Sequence, residues 1–182
     1  MRLVRGARIL AQLNEDSTAN DLENNIQRGF PDTKKRQHAT GDVTIQNVQY
    51  IPYVGTKFLH VKSTANSTSG KQYQQVIQFV RVNFEPEDTD ANATFTGTNG
   101  EGYHVTPIEL AGNNVKVRCN CLDFHWRFAA YDYNDNSLVG KPPPPYVRKT
   151  TNRPPANPLA VPGLCKHLLK LVRHLEGVGL VK

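Results

Sequence analysis

Three stretches between residues 42 and 84 set β-branched and aromatic residues in partial alternation with polar ones: DVTIQNVQYI, KFLHVKST and YQQVIQFVRVNF. A period of two is that of a half-buried strand. Pro52, Gly55 and the run ANSTSGK separate the three as turns. In the third stretch Val76, Phe79, Val80, Val82 and Phe84 miss strict alternation, which predicts a bulge or a strand buried on both faces. YHVTPIEL and NNVKVRC read as two more strands, joined through AGNN as a hairpin turn. The acidic, Gly/Asn/Thr-rich run EPEDTDANATFTGTNGEG reads as an exposed loop. DFHWRFAAYDY is aromatic and reads as a strand, with a periodicity that also admits a helix.

Two segments have helical spacing. STANDLENNIQRGFPD offers Ser17 or Thr18 as a cap, Asp21 and Glu23 for the first turns, and Pro31 as a stop. Near the C-terminus Leu164, Leu168, Leu171, Val172 and Leu175 recur on one face. Lys166, Lys170 and Arg173 face out, and Gly177 and Gly179 end the helix. Between strands and helix lies KPPPPYVRKTTNRPPANPLAVP, residues 141–162, with 8 of the 12 prolines. Proline has no amide hydrogen and a fixed φ, so this stretch enters neither a helix nor a sheet interior and runs extended. The chain therefore divides into an N-terminal segment with a short helix (1–40), a β-rich body (41–140), an extended Pro-rich arm (141–163) and a C-terminal helix (164–182). The expected fold class is α+β and β-rich: a small antiparallel sheet or barrel with a C-terminal helix.

Charge adds one feature. Residues 1–140 hold 14 Lys and Arg against 15 Asp and Glu, whereas residues 141–182 hold 8 against Glu176 alone. The basic excess is confined to the C-terminal quarter, which makes nucleic acid a candidate partner there. Its cations are spread out, as on a solvated helix face. No apolar run approaches the ~18–20 residues that span a bilayer, so no membrane partner is expected. MRLVRGARILAQLNED lacks the apolar core and cleavage site of a signal peptide.

The chemistry is concentrated in two short pairs. All three cysteines of the chain lie in VRCNCLDF and PGLCKHLLKLV, as Cys119-x-Cys121 and Cys165-x-His167. On a strand, residues i and i+2 share a face, so Cys119 and Cys121 can converge on one ion. On a regular helix i and i+2 diverge, so Cys165 and His167 can share an ion only if Cys165 precedes the first turn. Pro162-Gly163 breaks the chain at that place, and a helix N-terminus favours thiolate charge. A Cys119–Cys121 disulfide would close a very small strained ring, and three cysteines cannot all pair. The expected metal ligands are thus Cys119, Cys121, Cys165 and His167, with His125 as a substitute or supporting group. The expected ion is Zn2+, which four protein ligands hold in a closed structural site. An iron–sulfur cluster is the alternative cofactor. No paired general acid and base at a recognisable spacing accompanies the site, so no enzyme is expected; an open metal site recruiting Asp123 and His125 is the minor enzymatic rival.

The order Cys119-x-Cys121 … Cys165-x-His167 resembles the SWIM-type zinc finger, whose pattern is CxC followed by CxH. The resemblance implies these same four residues as zinc ligands and covers about the last third of the chain. The spacer of 43 residues, 122–164, is longer than that family's usual connection. RCNCLDFHWRF and KPPPPYVRKTTNRPPANPLAVPGLCKHL are also similar to segments of tailed-bacteriophage structural proteins. That resemblance implies a virion component of tail or baseplate, assembled in the host cytoplasm, whose partners are other virion proteins; the stiff proline arm, which loses little entropy on docking, is expected to lie on a neighbouring subunit. The alternative function is a zinc-dependent nucleic-acid-binding module, with Trp126 and Tyr146 as stacking groups.

Overall fold

The computed structural model describes residues 16–30, 40–144 and 155–182. The fold is α+β and β-rich, with antiparallel sheets and a C-terminal helix. Helix α1 (Ala19–Gly29) is followed by strands β1 (Val43–Tyr53), β2 (Phe58–Ser67), β3 (Gln72–Val80), β4 (Phe84–Glu85), β5 (Ala93–Thr96), β6 (Gly102–Val105) and β7 (Val115–Cys119). Helices α2 (Leu122–Arg127), α3 (Ala129–Asn134) and α4 (Lys166–Gly177) follow among the described residues. β1, β2, β3 and β7 form a four-stranded sheet in that order, and β4, β6 and β5 form a second sheet of three.

The inward face of the larger sheet is set by alternation. Leu59, Val61, Ile77, Phe79, Val115 and Val117 all point into one core. Helix α4 lies across that face, against all four strands, and adds Leu168, Leu171, Val172 and Leu175. Burying each such side chain stabilises by roughly 1.5–3 kcal/mol. Helix α1 brings Leu22 and Ile26 into the same core, and Glu23 reaches Arg173 on α4. The three-stranded sheet joins through aromatic rings: Tyr50 meets Phe95 at 4.9 Å between centroids, and Phe95 meets Tyr103 at 5.7 Å.

α1 begins as its sequence predicts. Thr18, not Ser17, is the cap: its hydroxyl accepts from the Asp21 amide at 3.2 Å, and the Asp21 carboxylate accepts from the Thr18 amide at 3.0 Å. Such a reciprocal box satisfies two amides that a helix start would leave open. Thr18→Ala is expected to cost about 1 kcal/mol, read as a fall of roughly 2–4 °C in the melting midpoint. Pro31, the expected stop, lies outside the described residues, as does the middle of the arm, 145–154.

The structure corrects four local expectations. β3 keeps unbroken register with β2, so the imperfect alternation of its stretch does not mark a bulge. It marks a change of sheet: the chain turns at Arg81, φ 58°, and Phe84 enters β4. The bulge lies in β1, between Gln46 and Gln49, where Asn47 takes φ 52°, a conformation asparagine tolerates. AGNN is no hairpin turn, because β6 pairs with β4 and β5 while β7 pairs with β3. Pro107 cannot donate to a ladder, and the next residues pair with the C-terminus instead: Ile108 donates to the Leu180 carbonyl at 3.0 Å. The acidic run contains β5, since Thr-Phe-Thr is β-forming in spite of its polar surroundings. Finally, the aromatic segment after Cys121 is helical, as α2 and α3, with Phe124 of α2 and Phe128 at the corner between them buried.

Residues 155–163 pack on their own chain. The Asn157 side chain is buried, donating to the Arg127 carbonyl at 3.0 Å and the Val161 carbonyl at 2.7 Å. Gly163 lies so close to Phe128 that an added Cβ would stand 2.8 Å from Cε1 of that ring. The Gly163 amide donates to the Asp132 carboxyl at 2.7 Å. Asp132 is fully buried and its Oδ2 has no protein partner, so burial raises its pKa well above the usual carboxylate value. A raised folded-state pKa gives stability that is present below the unfolded carboxylate pKa and lost as pH rises through the folded one. Asp132→Asn keeps an acceptor for Gly163 and cannot ionise. The melting midpoint of the variant relative to the parent should therefore rise as pH increases above about 4, the usual carboxylate range, measured by thermal scans at stepped pH.

Candidate metal centre

Three separate elements deliver the four predicted residues to one point. Cys119 ends β7, paired with Gln75 of β3, and its side chain points inward like those of Val115 and Val117. Asn120 continues the extended backbone: its amide donates to the Gln74 carbonyl at 3.0 Å, and its Oδ1 accepts from the Gln74 amide at 2.9 Å. Cys121 is the N-cap of α2, with φ −71° and ψ 148°. Extended geometry through 119–121 is what brings the two sulfurs to one side.

Cys165 is the N-cap of α4, also extended at φ −78° and ψ 166°. It stands just before the first turn, as the Cys-x-His spacing requires. His167, in that first turn, then swings back toward it. Nδ1 of His167 lies 3.8 Å from Sγ of Cys119 and 3.9 Å from Sγ of Cys165. The ligand atoms of all four residues lie within 4.8 Å of one another, and all four residues are buried. Tetrahedral zinc with sulfurs at ~2.3 Å needs sulfurs about 3.8 Å apart, so the group needs only a small contraction to close on an ion.

The electrostatics suit a cation. The three cysteines are free thiols. Cys121 is pulled well below the usual thiol range by hydrogen bonds from the Cys119 and Cys165 thiols, with a further one from the Phe124 amide at 3.3 Å. Cys119 is pushed up, first by sharing its proton with Cys121 and then by burial. Burial foremost pushes Cys165 up. The three sulfurs thus share protons among themselves when no ion is bound. A divalent cation can replace those protons, since metal-bound thiolates need none.

Sequence reasoning did not find Tyr73. Its ring stacks on His167 with centroids 4.3 Å apart and planes 28° apart, which holds the imidazole with Nδ1 toward the sulfurs. Tyr73 lies on β3 two residues before Gln75, the partner of Cys119. Only strand register places it there, and register is not written in any local motif. Removing a group that orients a ligand typically costs 10–100-fold in metal affinity. Tyr73→Ala is accordingly expected to weaken metal binding by roughly tenfold, and Tyr73→Phe to leave it unchanged, both read by competition with a chromogenic chelator.

His125 is not part of the group. Its ring packs edge-on against Trp126 at 4.3 Å, and Asp123 pairs with Arg127 at 2.9 Å. Neither belongs to the four-residue cluster, the one such group among the described residues. A cleft of about 510 Å³ reaches Cys121, Cys165 and His167 from the surface, between Tyr73 and Trp126. It gives an ion a route to the cluster. Comparison with protein-family models, with curated proteins and with solved structures finds no match for this chain.

Proposed function

We propose that Cys119, Cys121, Cys165 and His167 bind one Zn2+, and that this ion fastens α4 to the sheet in a protein whose role is structural and not catalytic. The observation that carries the reading is the convergence of three sulfurs and Nδ1 within 4.8 Å in a buried setting. Four protein ligands fill a tetrahedral zinc shell and leave no position for substrate or water. The donor set of three thiolates and one imidazole is one that zinc favours over Mg2+ or Ca2+. The ion would link the end of β7, the start of α2 and the start of α4, so it joins segments more than forty residues apart in sequence.

The proposal extends to the setting. On the resemblance of the segments around Cys121 and Cys165 to phage structural proteins, the domain is read as a tail or baseplate component that works by assembly with other virion proteins. The test of the metal reading is elemental analysis of protein purified without oxygen, together with its visible spectrum. One zinc per chain and no visible absorption is the expected result. Iron and sulfide with absorption near 400 nm, or no metal at all, would overturn it. The setting is tested separately, by searching purified particles for this chain.

A further inference from the structure

The outward face of the four-stranded sheet is a surface that the proposed function leaves unused. Register fixes its composition in three cross-strand rows. Tyr53, Phe58 and Val80 form the first; Ile51, His60, Gln78 and Lys116 the second; Gln49, Lys62, Val76 and Arg118 the third. With strands about 4.8 Å apart, the face is roughly 15 Å wide. α4, the second sheet and the core all lie on the other side.

The charge of this face is one-sided. The strands β1, β2, β3 and β7 contain no Asp or Glu, and their cations, Lys62, Lys116 and Arg118, all point outward. Asp42 lies just before β1, and Asp16 reaches the edge of the face through Asn136. No ion pair among the described residues joins any of the three. Lys116 donates to Oδ1 of Asn136 at 2.7 Å, and the same Asn136 amide donates to the Asp16 carboxylate beyond it; Arg118 donates to the carbonyls of Val139 and Lys141, so neither cation makes a direct ion pair. Lys57 and Arg81, both exposed, flank the first row. In the C-terminal quarter Arg173 pairs with Glu176 at 3.0 Å and with Glu23, and Lys182 pairs with Glu109 at 3.1 Å.

Aromatic surface accompanies the cations. Tyr53 is 46% exposed, lies beside Phe58 in register, and meets the His60 ring edge-on at 4.9 Å. Gln49 and Gln78 add amide donors and acceptors between rings and cations. Flat rings on which bases stack, next to unpaired cations that meet phosphates, are what a single-stranded polynucleotide needs. A rigid sheet presents them without ordering a loop first.

We propose that this outward sheet face binds single-stranded nucleic acid, with Tyr53 and Phe58 as the stacking platform and Lys62, Lys116 and Arg118 opposite the backbone. The inference does not use the metal. It places binding on the sheet and not on the basic C-terminal quarter.

The test is fluorescence anisotropy with a labelled 15-mer of deoxythymidine and the full-length protein. Three phosphate contacts predict a log–log salt slope near −2, so affinity should fall roughly 20-fold from 50 to 200 mM KCl. The double change Lys62→Glu with Lys116→Glu should weaken binding at least tenfold. Tyr53→Ala should weaken it by about 5-fold or more, the loss of one stacked base. Lys170→Glu on α4 should leave affinity within twofold. Circular dichroism and metal content must match the parent in each variant, and Tyr53→Phe, which keeps the ring, should bind normally. The proposal is overturned if the parent does not bind at about 50 mM salt, the condition that most favours phosphate contacts. It also fails if Lys170→Glu abolishes binding while the sheet variants keep it, or if a duplex competes equally well. A dimer in sedimentation that the double change dissolves would assign the face to a second copy instead.

Discussion

Removing the ion, by chelation or by Cys165→Ser, should lower the melting midpoint by about 10 °C or more. Cys165 is fully buried at the start of α4, and the segment before it is held by hydrogen bonds of Asn157 and Gly163 and by the packing of Gly163 and Leu164. Structural zinc contributes its binding energy to folding directly, and isolated fingers unfold without it. Here α4 also has an apolar face, so loss of the ion should loosen the chain and not abolish the fold. A loss of roughly 3–5 kcal/mol corresponds to about 10–15 °C for a chain of this size. Hydrogen exchange should show the first turns of α4 and α2 losing protection before the middle of the sheet. An unchanged midpoint in the metal-free protein would refute the structural role. Acid should act in the same direction, because protons compete with the ion for the thiolates as pH falls.

Phe128→Ala is the second large effect, at about 3–5 kcal/mol. Phe128 has no exposed surface and sits between α2 and α3. Phe30 meets it edge-on at 5.9 Å, and Gly163 passes against its ring. One side chain therefore ties the end of α1, the α2–α3 corner and the approach to Cys165. Truncation would leave a cavity that three covalently distant segments would have to collapse into. Gly163→Ala tests the same contact from the other side. It should destabilise the parent and cost much less in the Phe128→Ala background, because the added methyl would then occupy vacated space. Additive costs in that double-mutant cycle would show that the two residues do not share the contact.

How much of this was legible in the sequence depends on the range of the forces involved. α1 and α4 were readable because their spacing and caps are local: Thr18 and Asp21 at one end, the aliphatic repeat and Gly179 at the other. β1, β2, β3 and β7 were readable from alternation and turn residues. The assignment of strands to two sheets was not, because Phe84, Phe95 and Tyr103 find one another only through tertiary packing. The clustering of the four candidate ligands was legible because Cys-x-Cys and Cys-x-His each demand a local backbone form, and the chain adopts both. The helix after Cys121 left a fainter mark: Asp123 in a first turn, with Arg127 four residues on, is a helix-start pattern that the aromatic content obscured. Tyr73 left none, since its place over His167 depends on the pairing of β3 with β7.

The account rests on one ion held by three sulfurs and one nitrogen, and X-ray absorption at the zinc edge on the purified protein addresses that directly. It should show three sulfur neighbours at about 2.3 Å and one nitrogen at about 2.0–2.1 Å, with the sulfur count falling by one in Cys119→Ser if that variant retains metal. A shell made only of nitrogen and oxygen, or an ion that stays in place with the same sulfur count after Cys119→Ser, would contradict it.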